Sequence, residues 1–227
     1  MENKTKIPIR QLTTMAMLSA FSFLLVLLQH SLPPIAPFAA APFLKIDIKD
    51  VVIVISGFLY GPLSTVLISV VVSLLEMITV STTFFYGFFM NIVSTCAFVC
   101  PAALTYRKKK SIKGAILGLI LGIICVSVTM VLWNYIITPA YMGYPREAVA
   151  SLLLPVFLPF NLLKSTINSA LTMLLYKPIA NILRKTGRVA ESGGTLAKGK
   201  ISLGVMLASS FLLISLILII LAMMGVL

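Results

Sequence analysis

The sequence predicts an all-α polytopic membrane protein, and three observations carry that prediction. The chain is 59% hydrophobic and only 11% charged, with a mean hydropathy of +1.09, which leaves too little polar surface for a soluble domain. Its apolar residues fall in segments at 12–29, 50–78, 86–106, 113–137, 153–177 and 201–226. Most are apolar on all sides, rather than alternating as the strands of a closed barrel would. The formal net charge of +12 sits in short clusters at segment ends, where orientation signals belong, and not on a hydrophilic surface suited to nucleic acid.

The first segment follows Lys4, Lys6 and Arg10 and runs into Leu32-Pro33-Pro34 without a small-residue cleavage site. It is therefore expected to remain as a first helix, with its N-terminus cytoplasmic. Gln29 to Lys49 is apolar but carries Pro33, Pro34, Pro37 and Pro42, which remove backbone donors and exclude a continuous helix. It is expected to fold back as a lid. Segment 50–78 reads as two short helices joined at Tyr60-Gly61-Pro62, where glycine permits unusual backbone angles and proline starts a helix well. Charge parity selects this reading. A single crossing would put Arg107-Lys108-Lys109-Lys110 and Lys113 outside, against the positive-inside rule. Two crossings put them inside, together with Lys177, Arg184, Lys185, Arg188, Lys198 and Lys200, leaving Lys45, Lys49 and Arg146 outside. Each half of this hairpin is short enough to need shielding by protein or local thinning of the bilayer. Thr138 to Ser151, with Tyr141 and Tyr144, reads as a second outside segment with an aromatic rim. The expected division is a membrane domain at 1–180, a basic cytoplasmic linker at 181–200 and an additional transmembrane helix at 201–227, with the C-terminus outside.

Catalytic chemistry has little to stand on. The single His30 lies near prolines, and neither a nucleophile motif nor a helix-borne carboxylate pair is present. Cys96, Cys100 and Cys125 lie inside apolar segments without His, Asp or Glu at ligand spacing, so no metal site and no disulfide framework is expected. Gly194 to Lys200 spells GxxxxGK, but Ile201 replaces the magnesium-binding hydroxyl and no strand precedes it, so it reads as linker rather than phosphate loop. No enzyme, no resident cofactor and no motor is expected.

What stands out is a small set of polar residues within the apolar segments. Lys164 lies near the middle of its helix, where an ammonium costs about 2.5–3.5 kcal/mol on insertion scales and generally marks a pathway or ligand site. Asn161, Lys164 and Asn168 share one helix face at i, i+3 and i+7. Glu76, Asn134 and Asn161 each fall near the outer end of a helix, and Asn91 lies in the segment at 86–106. They are candidates to converge on one outward-facing cavity. Asparagine donates and accepts while lysine only donates, which suits a neutral, flat, hydrogen-bond-rich ligand, and Trp133, Tyr135 and Phe160 are candidates for stacking. The competing reading makes the asparagines interhelical glue and pairs Glu76 with Lys164 as an internal ion pair.

Four stretches together carry a resemblance: Phe43-Leu44-Lys45-Ile46-Asp47, Gly57-Phe58-Leu59-Tyr60-Gly61-Pro62, Trp133-Asn134-Tyr135 with Pro139, and Pro159-Phe160-Asn161-Leu162-Leu163-Lys164. In this order, over about residues 10–180, they resemble the riboflavin-specific S components of energy-coupling factor (ECF) vitamin transporters. The resemblance implies a six-helix S-component bundle that binds riboflavin from outside under the first loop. It also implies a transmembrane coupling subunit and two cytoplasmic ATPases as partners, and placement in the plasma membrane. It assigns Asn134, Asn161 and Lys164 to the ligand, with Leu44, Lys45 and Asp47 in the lid. Glu76 and Asn91 are further candidates. Ala16-x-x-x-Ala20 is a small-xxx-small pattern that allows close helix approach and is similar to the face that docks the coupling subunit. The segment at 199–227 departs from the family. Two other readings remain at this stage: a stand-alone secondary transporter with a Glu76–Lys164 proton relay, and an S component for another vitamin.

Overall fold

Proline and glycine punctuate the chain into helical rods whose order matches the apolar segments. The computed structural model describes residues 8–38, 41, 44–185 and 203–225. Helix α1, Ile9–His30, begins after Pro8 and stops ahead of Pro33-Pro34. Helices α2, Lys49–Tyr60, and α3, Pro62–Thr79, are separated by Gly61 alone. Gly61 has φ +94°, a conformation that glycine adopts without steric cost. Pro62 occupies the first turn of α3, where its missing N–H costs no helical bond.

The two helices fold back as a hairpin. Ser64 Oγ lies 3.4 Å from the Ser56 carbonyl oxygen near the turn, and Lys49 reaches Glu76 at the far end. At 12 residues, α2 is about 18 Å long at 1.5 Å per residue, too short for a hydrocarbon core of about 30 Å. It is tolerated because residues 49–58 are all buried within the bundle, so little of its backbone or its charged first turn meets lipid.

Helix α4, Phe84–Lys109, and α5, Ile112–Met142, form a closely apposed pair. A Cβ on Gly118 would lie 2.8 Å from the Ala102 carbonyl oxygen, and one on Gly122 would lie 2.3 Å from that of Phe98. Only glycine allows this approach, the membrane form of small-residue packing. Helix α6 runs in three continuous pieces: Arg146–Leu152, a π turn at Leu153–Phe157, and Leu158–Lys185. Pro155 and Pro159 supply no N–H there, and the ladder relaxes to a wider turn in which Leu158 N donates to Leu153 O. Helix α7, Leu203–Met223, packs on α6, with Ile220 buried and most of its surface outward.

Six of these helices are long and apolar enough to cross a membrane, and the buried α2 is the short seventh. The chain is thus an all-α multi-pass membrane protein with one helix beyond the six that the resemblance implies. Its ends are arranged as charge parity requires. The Gly61 turn faces Arg107, with 3.7 Å between the Gly61 Cβ position and Arg107 Nη1, and the hydroxyls of Tyr106 and Tyr176 are 3.3 Å apart. The α2–α3 turn, the basic end of α4 and the C-terminal end of α6 therefore share one end, opposite the proline-rich loop.

Two expected boundaries shift. The outside segment at 138–151 is mostly helical, because Gly143 at φ +67° closes α5 by donating to Pro139 O, and only Gly143-Tyr144-Pro145 stays open. The linker expected from residue 181 does not begin there, since α6 continues to Lys185. Residues 186–202, with the GxxxxGK stretch, lie outside the described residues. One apolar cluster centres on α2 and includes Val51, Val52, Val72, Val99 and Tyr176. A second joins Ala41, Leu44 and Ile46 of the loop to Phe157 and Phe160 of α6 and Ile220 of α7.

Candidate functional site

The proline-rich loop is fastened over one end of the bundle by polar contacts at its two ends. On α1, the Gln29 side-chain amide donates to Ile46 O and accepts from Ile48 N. Within the loop, Ile46 N donates to Ile35 O at 3.0 Å. Leu44 and Ile46 point into the bundle and are 4% and 5% exposed, whereas Lys45 between them is exposed.

Asp47 closes the loop onto α6. Its Oδ2 lies 2.7 Å from Lys164 Nζ, and its main-chain oxygen accepts from Asn168 Nδ2 at 2.9 Å. Asn168 also donates to Lys164 O, so the two ends of this contact are cross-braced. Burial pushes the Asp47 carboxyl up, but the ammonium groups of Lys164 and Lys49 outweigh it, and the net effect holds it below the ordinary value of 3.8.

Beneath the loop is a small cleft. Leu44 roofs it. Met90, Asn91 and Ser94 from α4, Met130 and Asn134 from α5, and Phe160, Asn161 and Lys164 from α6 form its walls. Asn134 Nδ2 donates to Met130 O, and its Oδ1 accepts from Thr138 Oγ1. Asn161 Nδ2 donates to Phe157 O, the last residue of the π turn. Ionic contacts lie behind this wall. Asn91 Nδ2 donates to Glu76 Oε2 at 2.9 Å, the same oxygen pairs with Lys49 at 2.5 Å, and Lys49 O accepts from Ser22 of α1. Beside them, Thr95 donates to Asp50 Oδ1 at 2.8 Å.

Most of the residues singled out from sequence meet here. Leu44, Asn91, Asn134, Asn161 and Lys164 line one cavity, drawn from the loop and three helices, and Asp47 sits over Lys164. Glu76 stands behind Asn91 rather than in the wall. The alternative Glu76–Lys164 pair does not form, because each residue has a nearer partner. Lys45 is outside the cavity. Of the aromatics, Phe160 is in the wall. Trp133 packs against the central apolar cluster, and Tyr135 is exposed with Arg146 5.7 Å above its ring. Ala16 and Ala20 lie on the exposed side of α1, opposite the buried Thr14, Met15, Leu18 and Ser19.

Met90, Ser94 and Met130 were not singled out from sequence; their only signals are that Met90 adjoins Asn91 and that Ser94 and Met130 lie one turn from Asn91 and Asn134. Lys49, counted from sequence only as a charge in an outside segment, is 2% exposed and paired with Glu76. The available signal was the pair Lys49-Asp50 directly abutting an apolar run, with Glu76 on the returning helix of the hairpin. Chemically the cavity offers amide groups, one ammonium, two thioethers and a phenyl ring. That set suits the non-covalent recognition of a small, partly polar molecule.

Comparison with known proteins places the chain. Residues 10–176 match the family described as ECF transporter, substrate-specific component. The riboflavin transporter RibU of Streptococcus thermophilus is 32% identical, over 78% of this chain and 85% of the relative. RibU of Staphylococcus aureus is 29% identical, over 78% and 93%, and the riboflavin transporter FmnP of Bacillus subtilis is 28% identical, over 74% and 90%. A solved S component of a bacterial ECF transporter superposes with a TM-score of 0.64 at 28% identity, covering 97% of that chain and 77% of this one. The family match ends before α7, which is an addition to the shared fold. With the match spanning α1 through most of α6, the chain belongs to the substrate-specific components of ECF transporters, membrane transport proteins rather than enzymes.

Proposed function

We propose that this protein is the riboflavin-binding subunit of an ATP-driven ECF vitamin uptake transporter, working in the plasma membrane with its N-terminus cytoplasmic and its cavity open to the outside. The observation that carries this is the convergence of Asn91, Asn134, Asn161 and Lys164 beneath a fastened loop, in a chain whose relatives are named riboflavin transporters. Riboflavin joins a flat, mostly apolar ring system bearing carbonyls to a chain of hydroxyls. Lys164 and the asparagine amides supply donors to carbonyl and hydroxyl oxygens, while Phe160, Met90 and Met130 supply apolar surface for the ring. Leu44 covers the ligand and Asp47 holds the loop down, so uptake into the cavity requires that contact to open.

This reading makes the protein a binder that depends on others for energy: a transmembrane coupling subunit and two cytoplasmic ATPases. The exposed Ala16 and Ala20 give α1 a low-profile surface where a partner helix approaches closely. A proton relay between Glu76 and Lys164 loses its support, since Lys164 is bonded to Asp47 and Glu76 to Lys49 and Asn91. Purification in detergent from cells grown with riboflavin tests the proposal. Yellow flavin absorbance that follows the protein at up to one flavin per chain supports it, and absence of binding at micromolar riboflavin contradicts it. Uptake in proteoliposomes is expected only when the coupling subunit, both ATPases and ATP are present.

A further inference from the structure

The buried ion pair behind the cavity has a role that overall stability does not explain. Glu76 Oε2 accepts from two donors at once, Lys49 Nζ and Asn91 Nδ2. A carboxylate only accepts, so the Asn91 amide is obliged to turn its NH₂ toward Glu76 and its carbonyl oxygen away from it. Asn91 lines the cavity, and no bond to Oδ1 occurs among the described residues. The pair is rigidly held. Lys49 and Glu76 are 2% and 8% exposed, and Ser22 of α1 fixes the first turn of α2 through Lys49 O. An ammonium with a single carboxylate partner in a membrane interior is costly to break apart, so the amide is locked for as long as the bundle is folded. Asn134 is held at both ends: its Nδ2 donates to Met130 O and its Oδ1 accepts from Thr138 Oγ1, which leaves a second N–H for a ligand.

We infer that Lys49 and Glu76 are positioning residues that fix Asn91 as an acceptor facing the cavity, so that the site selects ligands presenting an N–H donor there. This rests on the riboflavin reading, in which the one N–H of the flavin ring, the imide at N3, meets Asn91 Oδ1 while ring carbonyls meet donors such as Lys164 and Asn134. An acceptor held in place near the donor Lys164 distinguishes an imide edge from ring edges that carry acceptors only. A free amide would rotate to suit either, and the carboxylate removes that freedom.

The test is a set of titrations of the purified full chain with riboflavin and with N3-methylriboflavin, monitored by fluorescence quenching. The wild type is expected to bind riboflavin at least about tenfold more tightly than the N-methylated compound. Asn91→Ala is expected to weaken riboflavin about five- to tenfold and to bring the two ligands within about twofold of each other. Lys49→Met/Glu76→Gln, which removes both charges together, is expected to flatten the same ratio, because a glutamine both donates and accepts and releases the amide. Adding Asn91→Ala to that pair is expected to weaken riboflavin further while leaving the ratio flat. An unaltered riboflavin to N-methyl ratio in either variant overturns the inference while leaving riboflavin binding intact. A wild type that binds neither flavin overturns the functional reading itself.

Discussion

Replacing Lys164 by methionine separates a ligand-binding ammonium from a structural one. The substitution keeps an unbranched side chain one atom shorter and removes its charge. If the ammonium donates to riboflavin, the lost charge-assisted hydrogen bond is worth about 1.5–3 kcal/mol, an affinity loss of about ten- to 150-fold. The same change leaves Asp47 facing α6 without its 2.7 Å partner. Breaking a fully buried pair costs about 3–5 kcal/mol. Here the side chains retain 14% and 23% exposure, which places the destabilisation at or below the lower end of that range. The two effects are resolved by Lys164→Met/Asp47→Asn, in which no carboxylate is orphaned. Thermal unfolding in detergent is expected to recover in the double variant while the riboflavin affinity stays low. If the double variant binds riboflavin within about twofold of wild type, Lys164 only anchors the loop, and the assignment of the ammonium to the ligand is wrong.

Other outcomes follow from the same geometry. Asp47 titrates below its ordinary value in the folded protein, so its contribution to stability is full above about pH 4 and is lost as pH falls through the lowered value. The melting temperature of Asp47→Asn should therefore lie below wild type at neutral pH and converge with it under strongly acid conditions. Gly122→Ala, whose Cβ would meet Phe98 O at 2.3 Å, is expected to destabilise the α4–α5 pair by about 1–3 kcal/mol, read as a lower melting temperature. Ala16→Leu/Ala20→Leu is expected to leave riboflavin binding by the isolated protein unchanged and to abolish ATP-dependent uptake in the reconstituted complex. Removing residues 199–227 is expected to preserve binding within about threefold, because the cavity walls come from the loop, α4, α5 and α6; a larger loss would make α7 part of the lid.

Legibility in the sequence followed the physical cost of each feature. Lys164, Asn134 and Asn161 were visible because a polar group deep in an apolar helix is expensive, so its presence alone points to a cavity or partner. The α2–α3 hairpin was visible because one crossing would have moved the Arg107–Lys110 cluster to the wrong end. Asp47 as the partner of Lys164 was less accessible, since 117 residues separate them and only the resemblance placed the loop over the site. Lys49 looked like an interfacial lysine because it opens a helix, and helix ends are where lysines are cheap. That α2 is so short that its first turn is drawn into the bundle is a tertiary fact. The start of α6 at Arg146 escaped prediction because Pro139, Gly143 and Pro145 made 138–151 read as an outside segment, and Arg146 and Glu147 precede the apolar run that begins at 153. Pro155 and Pro159 lie within that run, and the ladder accommodates them by widening into a π turn, after which Asn161 finds its acceptor at Phe157 O.

That riboflavin occupies the cavity beneath the loop is tested most directly by a structure of the protein with riboflavin bound. The flavin is expected between α4, α5 and α6, with Asn91, Asn134, Asn161 and Lys164 within hydrogen-bonding distance and Leu44 closed over it. A ligand bound elsewhere on the bundle, or one that leaves Lys164 and the three asparagines untouched, would contradict it.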